Sequence, residues 1–354
     1  MSPTNPMDIR QPRTKLQELG IVLVTGVTGQ LGYDLIKLLS KDYQIIPASR
    51  VNFDITNPKM TMDFIEDAEP DVIIHAAAFT DVDACESQQD KAFAVNGLGA
   101  RNVAIAAREV DAKLFYISTD YVFDGAKTEP YREYDHPNPQ TIYGKSKLMG
   151  EEFVGEQLSR FFIIRIAWLY GQNGHNFVKT MLNLAREKEE IKVVDDQRGS
   201  PTWTMDIARQ IRKLLSTEAY GTYHCTSQGS CTWYEFALEI FKYAGYEAEV
   251  DPNGSAYLVP KTQDLRTKNQ DLTPGTQNLR PITVKPVTSE EFPRPAKRPT
   301  NSVLENYMLQ LQHLDTMLPW KESLGKFMRS IDSQQSTVSS QQPKGWNHGQ
   351  DRQT

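Results

Sequence analysis

GIVLVTGVTGQLGYDLIKLLS, residues 20–40, decides the fold. A short apolar run rich in β-branched residues reads as a strand. Gly26, Gly29 and Gly32 follow at GxxGxxG spacing, and a stretch of helical periodicity opens on the last of them. Strand, glycine loop and helix in that order form the context in which such a motif binds a dinucleotide. Gly26 makes the tight turn. Gly29 lets the backbone approach a pyrophosphate, whose charge faces the helix N–H groups. Gly32 permits close packing of helix on sheet.

Outward from this stretch the rhythm repeats. Strands are expected at 43–49, 71–77, 113–119 and 161–167, and helices at 57–67, 89–109 and 143–158. Alternating strands and helices mean βαβ units and a parallel sheet. The expected class is α/β: a Rossmann-type doubly wound parallel sheet with a smaller C-terminal substrate-binding lobe. Such sheets bind ligands beyond the carboxyl ends of their strands. The Rossmann part spans 20–170, with later elements near 191–225 returning to it; 171–330 forms the lobe and the remaining sheet elements. Residues 1–19 and 331–354 read as disordered tails. Residues 253–281, polar and containing Pro260, Pro274 and Pro281, read as a disordered insertion.

Strand ends supply the next candidates. Asp54 and Ile55 follow the second strand, where an adenine ring rests. Arg50 could pair a 2′-phosphate and favour NADP, or simply be a solvated surface arginine. Ala76, Ala77 and Ala78 put small side chains beside a cofactor.

A tyrosine and a lysine four apart are the catalytic signature of a large class of nicotinamide reductases, and the chain holds three such pairs: Tyr33–Lys37, Tyr143–Lys147 and Tyr257–Lys261. The first lies on the helix that directs its N-terminus at pyrophosphate. The third has Pro260 inside it, which breaks one-turn helical geometry. Only Tyr143–Lys147 opens a helix, where both side chains share one face, after a strand that ends in Ser118 and Thr119. Ketone reduction needs a hydride on carbon and a proton on oxygen. A free tyrosine has a pKa of about 10; a lysine ammonium nearby stabilises tyrosinate. Thr119 can hold the carbonyl oxygen as charge develops.

Composition bounds the rest. The net charge of −6 leaves no basic excess to neutralise nucleic-acid phosphates. Three cysteines in 354 residues read as reduced thiols, hence cytoplasm. CxxC and HExxH spacings are absent, so no metal site is expected. The first nineteen residues lack a signal-peptide core, and no apolar run approaches the length of a membrane span.

GVTGQLG, AAAFTDVD, AFAVNGLGARNVA, STDYVFDG, YGKSKLMGE, RIAWLYG, DQRGSPT and RPTNSVLEN together resemble the dTDP-4-dehydrorhamnose reductase family of extended short-chain dehydrogenase/reductases. The likeness covers 20–330 apart from the insertion. It implies reduction of the C4 ketone of dTDP-4-dehydro-6-deoxy-L-mannose with NADPH or NADH. It implies Thr119, Tyr143 and Lys147 as catalytic residues, and Gly29, Gln30 and Leu31 as the pyrophosphate loop. Asp54, Ile55 and Ala76 to Ala78 match further cofactor contacts; Val82, Asp120 and Trp168 match positions near the nucleotide-sugar. A magnesium-dependent homodimer occurs in the family, but no local motif carries the ion over. Two alternatives stay open: a reductase of another deoxysugar nucleotide, and a non-catalytic NADP-binding subunit like the regulatory one of methionine adenosyltransferase.

Overall fold

The computed structural model describes residues 20–51, 53–261 and 280–339. Its first half follows the expected rhythm: β1 (Ile21–Thr25), α1 (Gln30–Leu39), β2 (Gln44–Ala48), α2 (Pro58–Ala68) and β3 (Val72–His75). Two short helices, α3 (Val82–Ser87) and α4 (Gln89–Ala92), lead into a π-helical turn (Phe93–Leu98) and α5 (Gly99–Glu109). The single long helix expected over 89–109 is therefore interrupted. β4 (Lys113–Thr119), α6 (Ile142–Gln157) and β5 (Phe161–Ile166) complete this half.

The second half is finer-grained: β6 (Leu169–Tyr170), α7 (Phe177–Glu187), β7 (Glu190–Val194), β8 (Arg198–Gly199), β9 (Thr202–Trp203), α8 (Thr204–Leu215), β10 (Gly221–His224), β11 (Cys231–Thr232) and α9 (Trp233–Tyr243). It ends with β12 (Tyr246–Val250), β13 (Ala256–Pro260), β14 (Ile282–Val287), α10 (Tyr307–Leu311) and α11 (Trp320–Ser339).

Six strands form one parallel sheet in the order β2-β1-β3-β4-β5-β10. Apolar strands without alternation fit a sheet covered on both faces. Leu31, Leu35 and Leu39 of α1 and Ile207, Ile211 and Leu214 of α8 cover one face. Ile65 of α2, Val103, Ala104 and Ala107 of α5 and Val154 of α6 cover the other. Strand order reverses between β1 and β3, which opens a crevice at their carboxyl ends.

A second sheet, β12-β13-β14-β7, joins two antiparallel pairings to one parallel one. Against it pack Val178 and Met181 of α7, Phe236 and Ile240 of α9, and Leu324 and Phe327 of α11 in a separate core.

Two expectations need correction. Part of the stretch read as a disordered insertion, 253–281, is strand: β13 pairs with β12 on one side and β14 on the other. Ala256 and Leu258 are buried and Tyr257 is exposed, an alternation too short to stand out between polar flanks. Pro260 is the strand's last residue, where a missing N–H is tolerated. Residues 262–279 lie outside the described residues. At the other end, α11 runs on through 331–339, which the sequence assigned to a tail; no proline or glycine lies between Gly325 and Ser339 to stop it. The tails 1–19 and 340–354 lie outside the described residues.

Candidate active site

The glycine loop lies at the carboxyl end of β1, in the crevice. Gly26 has φ +69°, and a Cβ there would lie 2.7 Å from the backbone of Ala76 and Ala77, so the loops after β1 and β3 touch main chain to main chain. A Cβ on Gly32 would strike the Gly26 carbonyl and lie 2.8 Å from the Val27 Cα. Gly29 is the N-cap of α1 and has no side chain to cap it. The leading N–H groups of α1 thus have no side-chain competitor for an anion. Asn176 donates to the Gln30 carboxamide oxygen at 3.1 Å, and Asn173 to the Thr28 carbonyl at 2.7 Å. The Leu31 side chain is buried under α8, which leaves its backbone as the part that faces the loop.

The other expected cofactor residues surround this crevice. Thr25 at the end of β1 bonds His75 Nδ1 at 2.8 Å and accepts from the Ala77 N–H at 3.1 Å, which fixes the Ala76–Ala78 segment. Ile55 is buried, and its carbonyl accepts from Asn102 at 2.9 Å. Asp54 is exposed; its carboxylate accepts from the Thr56 hydroxyl and N–H, and these bonds hold it below the usual carboxylate range. Arg50 is exposed, one turn of chain beyond β2. These features fit a dinucleotide: a backbone cradle closed to side chains, an uncapped helix start and small residues opposite.

The reacting end is built by β4 and α6. Thr141 caps α6 by accepting from the Gly144 N–H at 3.0 Å. That fixes where the helix begins, and so where Tyr143 and Lys147 point. A Cβ on Gly144 would collide with the Tyr121 carbonyl, so α6 and the segment after β4 meet without a side chain between them. Thr119 is buried at the end of β4, close to the Tyr143 phenol; its hydroxyl donates to Asp120 Oδ1 at 2.8 Å and accepts from the Tyr121 N–H at 3.2 Å. The Tyr121 ring meets that of Tyr143 edge-on at 5.6 Å.

Burial governs protonation here. It raises the Tyr143 phenol, against the smaller opposing effect of Thr119. It lowers Lys147 to about 7, although Glu151 pulls the other way. It also pushes Asp120 up to about 6, against its bond from Thr119. The Lys147 ammonium lies 4.0 Å from the centroid of the Tyr116 ring. The expected depression of Tyr143 by Lys147 is therefore not what this geometry shows: desolvation dominates both groups, and each is biased toward its neutral form.

Trp168 forms another wall, after β5. Its backbone sits at φ +47°, a strained conformation for a bulky residue. The indole lies flat on Trp233, ring centroids 3.5 Å apart at 3°, and donates to the Ser302 hydroxyl at 3.1 Å. Gly199 lies against this ring, where a side chain would collide with it. Ser302 lies close to the buried Asp120 carboxylate, which places this wall next to the reacting end. Val82, half-buried, opens α3, whose cap is Asp81 accepting from the Ala84 N–H at 3.0 Å.

The remaining tyrosine–lysine pairs are elsewhere. Tyr33 is exposed, and Lys37 donates to Gln172 at 3.0 Å. Tyr257 and Lys261 lie along β13 and just past its end, where four residues of strand span about 13 Å. A cavity of about 600 Å³ is lined by Ser227, Gln228, Leu304, Asn306 and Asp315 and by none of the expected site residues.

Several supporting residues escaped the sequence reading. Asn96, in the π-helical turn, accepts from the Phe79 N–H at 2.7 Å and donates to the Phe79 carbonyl and to Ser146 at 3.0 Å. It ties the loop after β3 to α6. π-turns recur at functional sites, but nothing in FAVNGL announces one. Glu151 and Arg165 form a buried pair beneath α6. A lone arginine inside the apolar strand FFIIRI was a readable signal, since buried charges need partners.

Residues 20–333 match the family described as RmlD substrate binding domain. The chain is 36% identical over 322 residues to a dTDP-4-dehydrorhamnose reductase of Burkholderia thailandensis, which covers 88% of this chain and 99% of that relative. The crystal structure of a dTDP-4-dehydrorhamnose reductase from Clostridium acetobutylicum shares 44% identity and a TM-score of 0.77, over 88% of this chain and 99% of that one. The Bacillus anthracis dTDP-4-dehydrorhamnose reductase, solved in complex with NADP, shares 42% identity and a TM-score of 0.77 over the same fractions, 88% and 99%.

Proposed function

The chain belongs to the dTDP-4-dehydrorhamnose reductase family, and we propose that Thr119, Tyr143 and Lys147 carry out its reaction, reduction of the C4 ketone of dTDP-4-dehydro-6-deoxy-L-mannose to dTDP-L-rhamnose. The observation that supports this reading most directly is the convergence of the buried Thr119 hydroxyl and the Tyr143 phenol, with Lys147 one turn further on the same helix face. The cofactor is NADPH, held by Gly26, Gly29, Gln30, Leu31 and Gly32 at the pyrophosphate. Asp54, Ile55, Arg50 and Ala76 to Ala78 flank the rest. When bound, NADPH supplies the hydride that C4 takes up.

The protein's part is the proton. Tyr143 donates to the ketone oxygen, and the Thr119 hydroxyl, which donates to Asp120 before substrate binds, turns to donate to the same oxygen and orient it. Because burial keeps the phenol protonated, Tyr143 enters the reaction in the form that donates. It gives its proton to the oxygen as the C4–O bond gains negative charge, and the Lys147 ammonium stabilises the tyrosinate left behind. Asp120 holds the Thr119 hydroxyl at the strand end until the ketone arrives. Val82, Asp120 and Trp168 line the nucleotide-sugar site.

In this reading 20–170, with the elements of 191–225 that return to the parallel sheet, bind the cofactor, and 171–330 supply the sugar-nucleotide side. The three cysteines are free and buried, in keeping with a reducing cytoplasm. Among the described residues no helix is long and apolar enough to cross a membrane. A homodimer rests on family likeness and is checked by sedimentation.

The test is direct. Purified chain, NADPH and dTDP-4-dehydro-6-deoxy-L-mannose should yield NADP and dTDP-L-rhamnose. NADPH binding without oxidation would favour the regulatory-subunit reading. Reduction of a different deoxysugar nucleotide in its place would move the substrate and keep the chemistry.

A further inference from the structure

Tyr143, Lys147 and Glu151 follow one another at four-residue steps on the inner face of α6. The third is buried and clamped. Arg165 of β5 donates to both Glu151 oxygens, Nε at 3.0 and 3.2 Å and a terminal nitrogen at 2.7 Å. Ser118, the neighbour of Thr119, donates to Glu151 Oε1. We propose that Glu151, fixed by Arg165 and Ser118, is a positioning residue: a buried carboxylate that keeps the Lys147 ammonium charged and on the Tyr143 face of α6. The inference rests on the catalytic reading of Tyr143 and Lys147.

The surroundings leave this task to Glu151. Lys147 lies over the Tyr116 ring of β4 and near His75 of β3, with Tyr143 and Glu151 one turn away on its own helix. Tyr116 and His75 are held neutral by burial, His75 at about 3. Arg165 of β5 reaches Glu151 and carries the wrong sign. Glu151 alone among the charged groups around it raises the proton affinity of Lys147. An orienting clamp of this kind needs rigid partners, and the bidentate guanidinium supplies them.

Glu151→Gln removes the charge and keeps the shape. Its Lys147 should lose its proton at lower pH, so the basic limb of kcat against pH moves down by about one unit or more, and kcat at pH 8 falls about tenfold or more. NADPH affinity should hold within about threefold. Glu151→Asp, which restores the charge, should recover most of the limb. Because breaking a buried pair can unfold a protein, the double variant Glu151→Gln with Arg165→Met serves as the folding control, and its displacement should be smaller than that of Glu151→Gln, since the like charge of Arg165 leaves with the carboxylate. The Lys147 ε-carbon, titrated by NMR in each folded variant, reads the effect without turnover. That readout separates this inference from failure of the wild-type chain to reduce the ketosugar. A folded Glu151→Gln with an unmoved Lys147 titration and unmoved basic limb, or a double variant displaced as far as the single one, overturns the proposal and leaves the cluster a packing element.

Discussion

Thr119, Tyr143 and Lys147 come from one strand end and one helix, with Asp120 next in chain; Trp168 is held by Ser302, 134 residues away, and by Trp233 from α9. The first wall is regular structure, buried, and pinned by a helix cap and a buried ion pair. The second is assembled from loops around a residue at positive φ. Chemistry requires fixed distances between a few atoms, which rigid elements provide. Recognition of a large substrate tolerates, and can use, parts that adjust. The contrast predicts that substitutions in the first wall reduce kcat, while those in the second raise KM.

The largest effect should come from Tyr143→Phe. Loss of a general acid costs about 10²- to 10⁴-fold, and here it should appear in kcat, with NADPH affinity little changed. A loss under about threefold would remove Tyr143 from the mechanism. Next is Gly32→Val. The side chain would strike the Gly26 carbonyl, so the loop must shift; NADPH affinity measured by fluorescence should fall about tenfold or more, a loss of about 1.4 kcal/mol. Unchanged affinity would mean that the cradle is not the pyrophosphate site.

Trp168→Ala tests the second wall. KM for the sugar nucleotide should rise about tenfold, the scale of one well-buried aromatic contact, with kcat changed less. Equal loss of stability, kcat and both affinities would make the Trp168–Trp233 stack a packing feature only.

Asp120 stands where the walls meet. Its folded pKa, about 6, lies above the ordinary value. Its contribution to stability is therefore fully present below about pH 4 and is lost as pH rises through about 6. Asp120→Asn has no charge to bury. Its melting temperature relative to wild type should rise across that window, by an amount equivalent to at most about 3 kcal/mol. A constant difference between pH 4 and 7 would show that Asp120 ionises without penalty. Smallest of all, Tyr33→Phe should leave turnover near wild type, because Tyr33 lies on the exposed side of α1.

The first wall was legible in the sequence because regular elements carry periodic signals. GIVLVTG, the glycines of the first turn and the YGKSK start of α6 each announce an element and its boundary. The second wall was not. Trp168 could be named from family likeness, but its stacking partner, Trp233, lies far along the chain in α9, beyond the reach of β5's pattern, and carries no local mark. Likewise β13 was read as loop, since five residues next to polar chain hold too little alternation. Asn96 was missed for a different reason: a π-turn inside a helical pattern changes where side chains point without changing the pattern itself.

The pairing of β13 with β14 has a practical side. Leu258 lies opposite Ile282, so the chain departs after Lys261 and re-enters at Arg280 on adjoining strands. Loop-closure cost rises only with the logarithm of length, which makes this hairpin end a port: peptide can be removed, exchanged or added there while the strand register on either side stays intact.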